Sequence, residues 1–185
     1  NASYDWQVYH QSIGNTASLS LNVTDTISTS STYWNNTSPA TSSPFVFSLG
    51  NSVATNKASD DFIAYVWAEI EGYSQFGKYI GNGNADGPVI NLGFTPAFLM
   101  VKRTDVADNW YMGDDARNPY NPVNKELYAN YPNAEATQVT FDFLSNGFKA
   151  RNTFAMLNTS NGNYVYAAFA SNPFGGSGVN QAKAR

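Results

Sequence analysis

Hydrophobic and polar positions alternate along most of the chain, in short runs separated by Gly, Asn, Pro and Ser. β-Branched and aromatic residues dominate these runs, which is typical of short β-strands joined by tight turns. The pattern therefore predicts an all-β fold, organised as a β-sandwich of the jelly-roll or lectin-like type. The predicted strands are Trp6–Tyr9, Ser18–Val23, Phe45–Leu49, Phe62–Ile70, Val89–Leu92, Phe98–Arg103, Trp110–Met112, Val139–Phe143, Gly147–Ala150 and Tyr164–Ala170.

Two of these runs are almost continuously apolar, and they cover Phe62–Ala68 and Tyr164–Ala170. A continuous apolar run is expected of a central strand that is buried on both faces. Trp6 and Trp67 lie within strand patterns, so we expect both to be core residues. A short helical turn is predicted over Asn124–Tyr131, where good helix formers are concentrated.

The same two runs belong to an internal duplication with an offset of about 100 residues. Phe62–Ala68 resembles Tyr164–Ala170, and further upstream Asp5–Tyr9 resembles Asn109–Gly113. An offset this long is unlike a solenoid period. It indicates two related halves of one β-sandwich.

The duplication suggests a division of the chain into two units. We predict a first unit over residues 1–80, a Gly- and Asn-rich connector over 81–88, a second unit over 89–176 and a tail over 177–185. The second unit has a preamble, Gly87–Lys102, whose counterpart is missing from the first. We therefore expect the chain to be the C-terminal part of a longer protein, with a naturally truncated first unit as the alternative.

Composition removes several kinds of chemistry. The 185 residues include no Cys and one His, and 13% are charged, with a net charge of −4. Thiolate metal sites, thiol nucleophiles and sites with two imidazoles are thereby excluded. His10 has no nearby Ser or Cys motif for a triad and is expected to be a polar residue at a strand end. Lys102-Arg103 is the one basic pair, so nucleic acid is not an expected partner.

Membrane insertion is not expected either, since no apolar run approaches the roughly 20 residues that a spanning helix needs. The charge that exists is unevenly distributed, because the first Lys or Arg is Lys57. Asn, Ser and Thr dominate the stretch before it, and they leave a neutral polar surface there.

One metal-site candidate lies in the connector. Asn82, Asn84 and Asp86 place oxygen-bearing side chains at alternate positions before a Gly, as at the opening of a calcium loop. The closing Glu of such a loop is absent, since Gly93 stands at the twelfth position. The two interpretations are a Gly-rich turn and a weakly held Ca²⁺; no other cofactor is predicted.

Four carboxylates could form a glycosidase acid/base set. The candidates are Asp114, Asp115, Glu126 and Glu135. Adjacent residues of a strand point to opposite faces, so Asp114 and Asp115 should not share one site. Asp115 with Arg117 and Lys125 is more simply a structural ion-pair region, and we predict no enzymatic activity.

Aromatic and amide side chains in loops supply the binding candidates, because sugars stack on aromatic rings and accept hydrogen bonds from planar amides. The candidate ligand-binding residues are Tyr33, Trp34, Asn35, Asn36, Asn118, Tyr120 and Asn121. The alternative for both loops is packing against the β-sandwich.

Several longer strings resemble a C-terminal β-rich domain that recurs in marine bacteriophage tail-fibre and other virion-surface proteins. The strings that carry the resemblance are Trp6–Gly14, Tyr65–Tyr79, Gly81–Pro88, Lys102–Asp105, Asp115–Asn118, Asp142–Lys149, Ala167–Phe174 and Ala182–Arg185. They are spread over essentially the whole chain. The family has no established catalytic residues to carry over, so the resemblance implies location and role more than chemistry.

The resemblance implies an extracellular place on the virion surface, in a tail fibre or appendage. The implied role is host adsorption through multivalent contact with a host-surface glycan or an outer-membrane protein. Other virion proteins are implied as partners, and by analogy with fibre proteins a homotrimer. The alternatives are a structural capsid decoration or appendage-assembly subunit and, third, a glycan-depolymerising tail enzyme.

Overall fold

A computed structural model describes residues 4–34 and 47–172. The all-β prediction is confirmed: an eight-stranded antiparallel sheet curls into a nearly closed barrel, accompanied by a three-stranded sheet. This arrangement is closer to a barrel with an added layer than to two separate facing sheets. No helix within the described ranges is long and apolar enough to cross a membrane.

The strands and the two single-turn helices follow one another along the chain. They are β1 (Gln7–Val8), β2 (Ala17–Ser20), β3 (Ser28–Thr29), α1 (Val53–Asn56), β4 (Ser74–Ile80), β5 (Val89–Asn91), β6 (Pro96–Arg103), β7 (Trp110–Asp114), β8 (Val123–Tyr128), β9 (Ala136–Leu144), β10 (Gly147–Ala150), α2 (Ala155–Asn158) and β11 (Asn163–Ala170). The large sheet has the order β4-β11-β6-β7-β8-β9-β10-β5, and the small sheet has the order β1-β2-β3. Strands β6 to β10 thus form a meander, and β11 inserts between β4 and β6.

The inside of the barrel is filled by one cluster of aliphatic and aromatic side chains. Leu99 and Val101 on β6 are fully buried there. A series of edge-to-face ring contacts links Tyr111 to Phe141, Phe141 to Phe148, and Phe148 to Tyr166, with centroids 5.3–5.4 Å apart. Such contacts add to the free energy gained by burying the rings, so this interior is the main core of the fold.

The small sheet covers part of the outer face of the barrel. Leu19 on β2 is buried against Trp110 on β7 and Val165 on β11. The Trp110 indole also donates to the Ser20 carbonyl oxygen at 2.8 Å. Because Val165 points outward while Tyr164 and Tyr166 point inward, β11 is buried on both faces, as predicted for Tyr164–Ala170.

A buried cation joins the two layers near the same place. Lys102 on β6 is fully buried, and its Nζ donates to the carbonyl oxygens of Thr24 at 3.0 Å and Asp108 at 2.9 Å. Burial lowers the pKa of Lys102 to about 8. The hydrogen bonds to two carbonyls compensate for part of the desolvation, and they hold the loop before β3 against the β6–β7 hairpin.

The segment Phe62–Ile70 does not have the structure that the sequence predicts for it. It was predicted to be a buried strand, but no strand forms over residues 61–69 and every side chain from 61 to 70 is exposed. Trp67 is 62% exposed and Trp6 is 51% exposed, so the prediction that both are core residues is wrong. An apolar run in a sheet is buried where neighbouring strands pair with its backbone, and the described residues provide no such strand for residues 61–69.

Two further local predictions also change. The helical turn predicted over Asn124–Tyr131 is wrong, because Val123–Tyr128 forms β8 and pairs with strands on both sides. Long-range pairing overrides the weak helical preference of this segment. In the predicted strand Phe45–Leu49, residues 45 and 46 lie outside the described residues, and residues 47–49 are not in a strand. Strand β4 was not predicted.

Strands on both sides of the connector over 81–88 share one sheet, since β4 pairs with β11 over its whole length. The connector is fastened by Asn158 at the end of α2, a fully buried side chain. Its Nδ2 donates to Asn82 Oδ1, Asn84 O and Asn152 O at 2.8–3.0 Å, and its Oδ1 accepts from the Asn82 amide. The ends of β4 and β5 are thereby brought together where the barrel nearly closes.

His10 fastens the small sheet to β11. It is buried; its Nδ1 accepts from the Ser12 amide, and its Nε2 lies 3.1 Å from the Tyr166 carbonyl oxygen. Because Nδ1 is an acceptor, Nε2 carries the hydrogen and donates to Tyr166. Burial is the main cause that lowers the pKa of His10 below its ordinary value of 6.5. The neutral imidazole is therefore the form that the fold requires.

We expect the free energy of unfolding to fall as the pH is lowered below about 6.5, because unfolded His10 then takes up a proton that folded His10 resists. His10→Gln should remove this part of the pH dependence, since an amide can still donate to Tyr166 but does not titrate. Urea unfolding from pH 7.5 to pH 5 measures the free energy of unfolding of both proteins. Both contain the same carboxylates, so the contribution of carboxylate titration cancels when the two curves are subtracted. Parallel stability curves for the two proteins would contradict the assignment.

Candidate functional site

A small surface cavity of about 160 Å³ lies at one end of the barrel. It is formed by the turn before β6, the loop between β7 and β8, and β9. The residues that line it are Thr95, Pro96, Asp115, Asn118, Pro119, Tyr120, Asn121 and Phe143. Three of the residues predicted to bind a ligand, Asn118, Tyr120 and Asn121, are thus brought together in one place.

Two asparagine side chains determine the shape of the β7–β8 loop. Asn118 Oδ1 accepts from the backbone amides of Asn124 at 3.1 Å and Lys125 at 2.6 Å, and its Nδ2 donates to Asn124 Oδ1 at 2.9 Å. Asn121 bonds to the backbone of Phe143 like a strand neighbour: Nδ2 donates to the carbonyl oxygen at 2.7 Å and Oδ1 accepts from the amide at 2.8 Å. Both amides therefore position the loop.

Tyr120 lies between these two fixed points and is 83% exposed. Its ring is available for contact, whereas its neighbours in the loop hold the backbone. The nearby carboxylate of Asp115 takes part in none of the ion pairs found among residues 4–34 and 47–172. Partial burial, and then the charge of Asp114, raise the pKa of Asp115 above its usual range. The site thus combines an exposed aromatic ring with an unpaired carboxyl group.

The ion pairs behind the cavity differ from those expected. Arg117 pairs with Asp114 at 2.6 Å and with Glu135 at 3.2 Å, and Lys125 pairs with Glu135 at 3.2 Å. The ion-pair region therefore exists, but it contains Asp114 and Glu135 instead of Asp115. Asp114 is the last residue of β7 and Asp115 lies in the turn that follows it.

The four carboxylates considered for catalysis do not meet in this cavity. Asp115 lines it, whereas Asp114 and Glu135 are paired with Arg117. Glu126 is buried and accepts a hydrogen bond from the Tyr128 hydroxyl at 2.6 Å. This bond and burial raise the pKa of Tyr128, with burial as the larger cause.

The first predicted binding loop is arranged differently. Trp34 is 6% exposed, its Nε1 donates to the Ala17 carbonyl oxygen at 2.9 Å, and its ring meets Tyr9 edge to face. This burial favours the packing alternative for Trp34, whereas Tyr33 is half-buried beside it. Asn35 and Asn36 lie outside the described residues.

The connector residues proposed for calcium make hydrogen bonds within the protein. Asn82 Oδ1 accepts from the Asn84 amide, Asn84 Oδ1 accepts from the Asp86 amide, and Asp86 forms an ion pair with Lys149. The hydrogen bond from Lys149 is the first cause that lowers the pKa of Asp86. Across the described ranges no group of three or more His, Cys, Asp or Glu side chains could hold a metal ion. The calcium hypothesis stays a prediction.

Residues 1–173 match the family model described as a domain of unknown function (DUF7483). The chain belongs to the DUF7483 family. No curated protein and no solved structure matches it. The DUF7483 description assigns no function, so the similarity to virion-surface domains remains a prediction.

The sequence predicted only some of the residues that line this cavity. From the sequence, Asp115 is a candidate only for catalysis and ion pairing, and nothing marks Thr95, Pro96 and Phe143 as cavity residues. Thr95 and Phe143 come from elements distant in sequence, and the bonds of Asn121 to the Phe143 backbone leave no local signal. The informative signal was the placement of Tyr120 between Pro119 and Asn121. These neighbours favour a turn, and a turn at the surface leaves the aromatic side chain exposed.

Asn118→Ala should lower the free energy of unfolding by about 1–3 kcal/mol, because two backbone amides lose their acceptor. Asn118→Asp is the matched control, since it keeps an acceptor for the amides of Asn124 and Lys125 and should be less destabilising. Urea unfolding at neutral pH measures both. The loop assignment would be wrong if Asn118→Ala were as stable as the unaltered protein.

Proposed function

We propose that this DUF7483 chain is a virion-surface module of a bacteriophage, from a tail fibre or similar appendage, which contacts host-surface glycan through the cavity around Tyr120. The observation that carries the glycan part is the 83% exposed ring of Tyr120 beside the unpaired Asp115 carboxylate. The placement on a virion rests on the resemblance of the sequence to virion-surface domains.

The chemistry of the cavity suits a sugar. An exposed tyrosine ring offers a face on which the C–H groups of a pyranose can stack. The Asp115 carboxylate can accept hydrogen bonds from neighbouring sugar hydroxyls, and charge-assisted bonds of this kind are stronger than neutral ones. Since Asn118 and Asn121 are occupied by backbone partners, we assign them to positioning and assign contact to Tyr120 and Asp115.

The size of the cavity bears on affinity. Its 160 Å³ is below the roughly 300 Å³ at which pockets for drug-sized ligands begin. One sugar unit at the end or side of a glycan is therefore the fitting ligand, held weakly. Adsorption by such a site requires many copies, and linked copies raise avidity by ~10²–10⁴ over a single site. A homotrimeric appendage repeated on the particle would supply them.

The alternative role in virion assembly is favoured by a different observation. Six large apolar side chains between residues 62 and 70 are exposed, and contiguous apolar surface of this kind marks protein–protein contact. An outer-membrane protein as receptor would use the same property. A depolymerase would need two carboxylates about 5–10 Å apart in a groove, and in this cavity Asp115 has no carboxylate partner among the described lining residues.

Tyr120→Ala should weaken glycan binding about three- to tenfold, which corresponds to the loss of one aromatic contact. Tyr131→Ala is the matched control, because Tyr131 is 54% exposed and does not line the cavity. A glycan array probed with the biotinylated chain on streptavidin, at constant loading, compares both variants with the unaltered protein. A blank array, or equal losses for the two variants, would count against the site.

The virion location makes a separate prediction. Antibodies raised against the purified chain should decorate an external appendage on intact particles of the phage that encodes it, as seen by immunogold electron microscopy. Preimmune serum is the control. Absence of label from intact particles, with signal only in host lysate, would overturn the virion-surface assignment independently of the glycan result.

A further inference from the structure

Residues 61–69 form a largely apolar stretch that has no strand partner among the described residues, and Ile70 makes one isolated bridge to Ser74. The large apolar side chains of residues 61–70 are between 44% and 72% exposed. These side chains are Phe62, Ile63, Tyr65, Val66, Trp67 and Ile70. From Asp61 to Trp67, the backbone forms no hydrogen bond with any other residue in the described part of the chain. Unpaired backbone beside exposed apolar side chains is a template for strand addition.

The duplicated copy shows what this sequence does when partners are present. Phe62–Ala68 repeats the pattern of Tyr164–Ala170, which forms most of β11. In β11 both edges are paired, with β4 on one side and β6 on the other. The same kind of sequence is thus a central strand in one copy and an exposed segment in the other.

The missing neighbour can be identified from the strand order. In the second copy β6 lies between β11 and β7. The first-copy counterpart of β11 is Phe62–Ala68, and that of β7 is the Asp5–Tyr9 stretch, which contains β1. Strand β1 is an edge strand of the small sheet. The position equivalent to β6, between these two counterparts, is unfilled among the described residues.

The two counterparts are already adjacent in space. The ring of Trp6, next to β1, stacks on Tyr65 with centroids 6.1 Å apart, and Tyr65 stacks on Trp67 at 6.2 Å. Gln11 Nε2 donates to Glu69 Oε1 at 2.6 Å. The stacking of Tyr65 on Trp67 places alternate side chains on one side, as in a β-strand. The segment is therefore held close to β1 in a nearly extended form.

We propose that residues 61–70 and the edge of β1 form an acceptor site for one β-strand of the same chemistry as β6. The occupant is an extended segment of apolar residues that ends in basic residues, as β6 ends in Lys102-Arg103. It is not β6 itself, because β6 is paired on both edges. A partner polypeptide segment supplies it, and the proposal does not depend on the glycan site.

Charge supports this choice of occupant and its direction. In the antiparallel register of β11 with β6, Tyr164 faces Arg103 and Val165 faces Lys102. Transferred to the first copy, the basic end of the incoming strand lies opposite Phe62 and Ile63. Asp60 and Asp61 directly precede these residues. Asp60 pairs with Lys57 at 2.7 Å, whereas Asp61 takes part in none of the ion pairs found in the described ranges. The basic end of the incoming strand therefore meets the Asp61 carboxylate.

The experiment uses the full chain and a labelled peptide with the sequence of residues 94–103, joined to a polar tag for solubility. We expect saturable binding by fluorescence anisotropy and slower amide hydrogen exchange over residues 61–70 and β1. A scrambled peptide of identical composition should do neither. Absence of both saturable binding and exchange protection would overturn the proposal.

Val66→Pro removes one backbone donor from the segment and should weaken peptide binding at least tenfold. Val66→Thr is its matched control, because Thr keeps the β-branched shape and the amide, and it should bind like the unaltered chain. Thermal unfolding of both variants checks that the barrel is unaffected. Equal peptide affinity for the proline and threonine variants would contradict strand addition.

Asp61→Asn tests the direction of the incoming strand, because it leaves the Lys57–Asp60 ion pair intact. This variant should bind the peptide more weakly and with less dependence on salt, because the basic end of the peptide then loses the Asp61 carboxylate. Sedimentation of the chain alone tests the identity of the occupant. A dimer that Val66→Pro abolishes would mean that a second copy occupies the site, and it would overturn the assignment to a separate β6-like strand.

Discussion

Pairing of β11 along both of its edges is the interaction on which the rest of the structure depends. It joins β4, which precedes the connector, to the meander that begins with β6. Tyr164, Tyr166 and Ala168 fill the barrel from this strand, whereas Val165 receives the small sheet on the outside. The same pairing requires a glycine at position 77. Gly77 lies opposite Tyr166, and a side chain there would collide with the tyrosine ring. Both layers are therefore built against one strand.

The second apolar run shows the same constraint from the opposite side. Phe62–Ala68 has the composition of β11 but lacks strand neighbours within the described residues, and its side chains stay exposed. Hydrophobicity alone does not bury such a segment, because burial would also remove water from backbone groups that have no partner. The side chains of Phe62–Ala68 therefore stay exposed because this segment has no strand partner among the described residues.

The candidate site follows a different principle, in which polar side chains replace strand pairing. Asn118 and Asn121 bond to backbone groups of β8 and β9, so they hold the loop while Tyr120 stays exposed. The sequence indicated an aromatic loop here, because Tyr120 stands between turn-forming residues. It could not indicate that Asp115 takes part in no ion pair among the described residues. Arg117 lies within three residues of both Asp114 and Asp115, and only the folded loop decides that it pairs with Asp114.

By itself, the sequence determined the all-β class, most strand positions and the Tyr120 loop, because alternation and turn residues are local signals. It also determined that β11 would be a central strand. The tertiary structure decided that residues 124–128 extend β8, that Trp34 is buried, and that Phe62–Ala68 and Trp67 are exposed. These outcomes depend on which strands come to lie side by side, and pairing between residues distant in sequence leaves no mark in a local pattern.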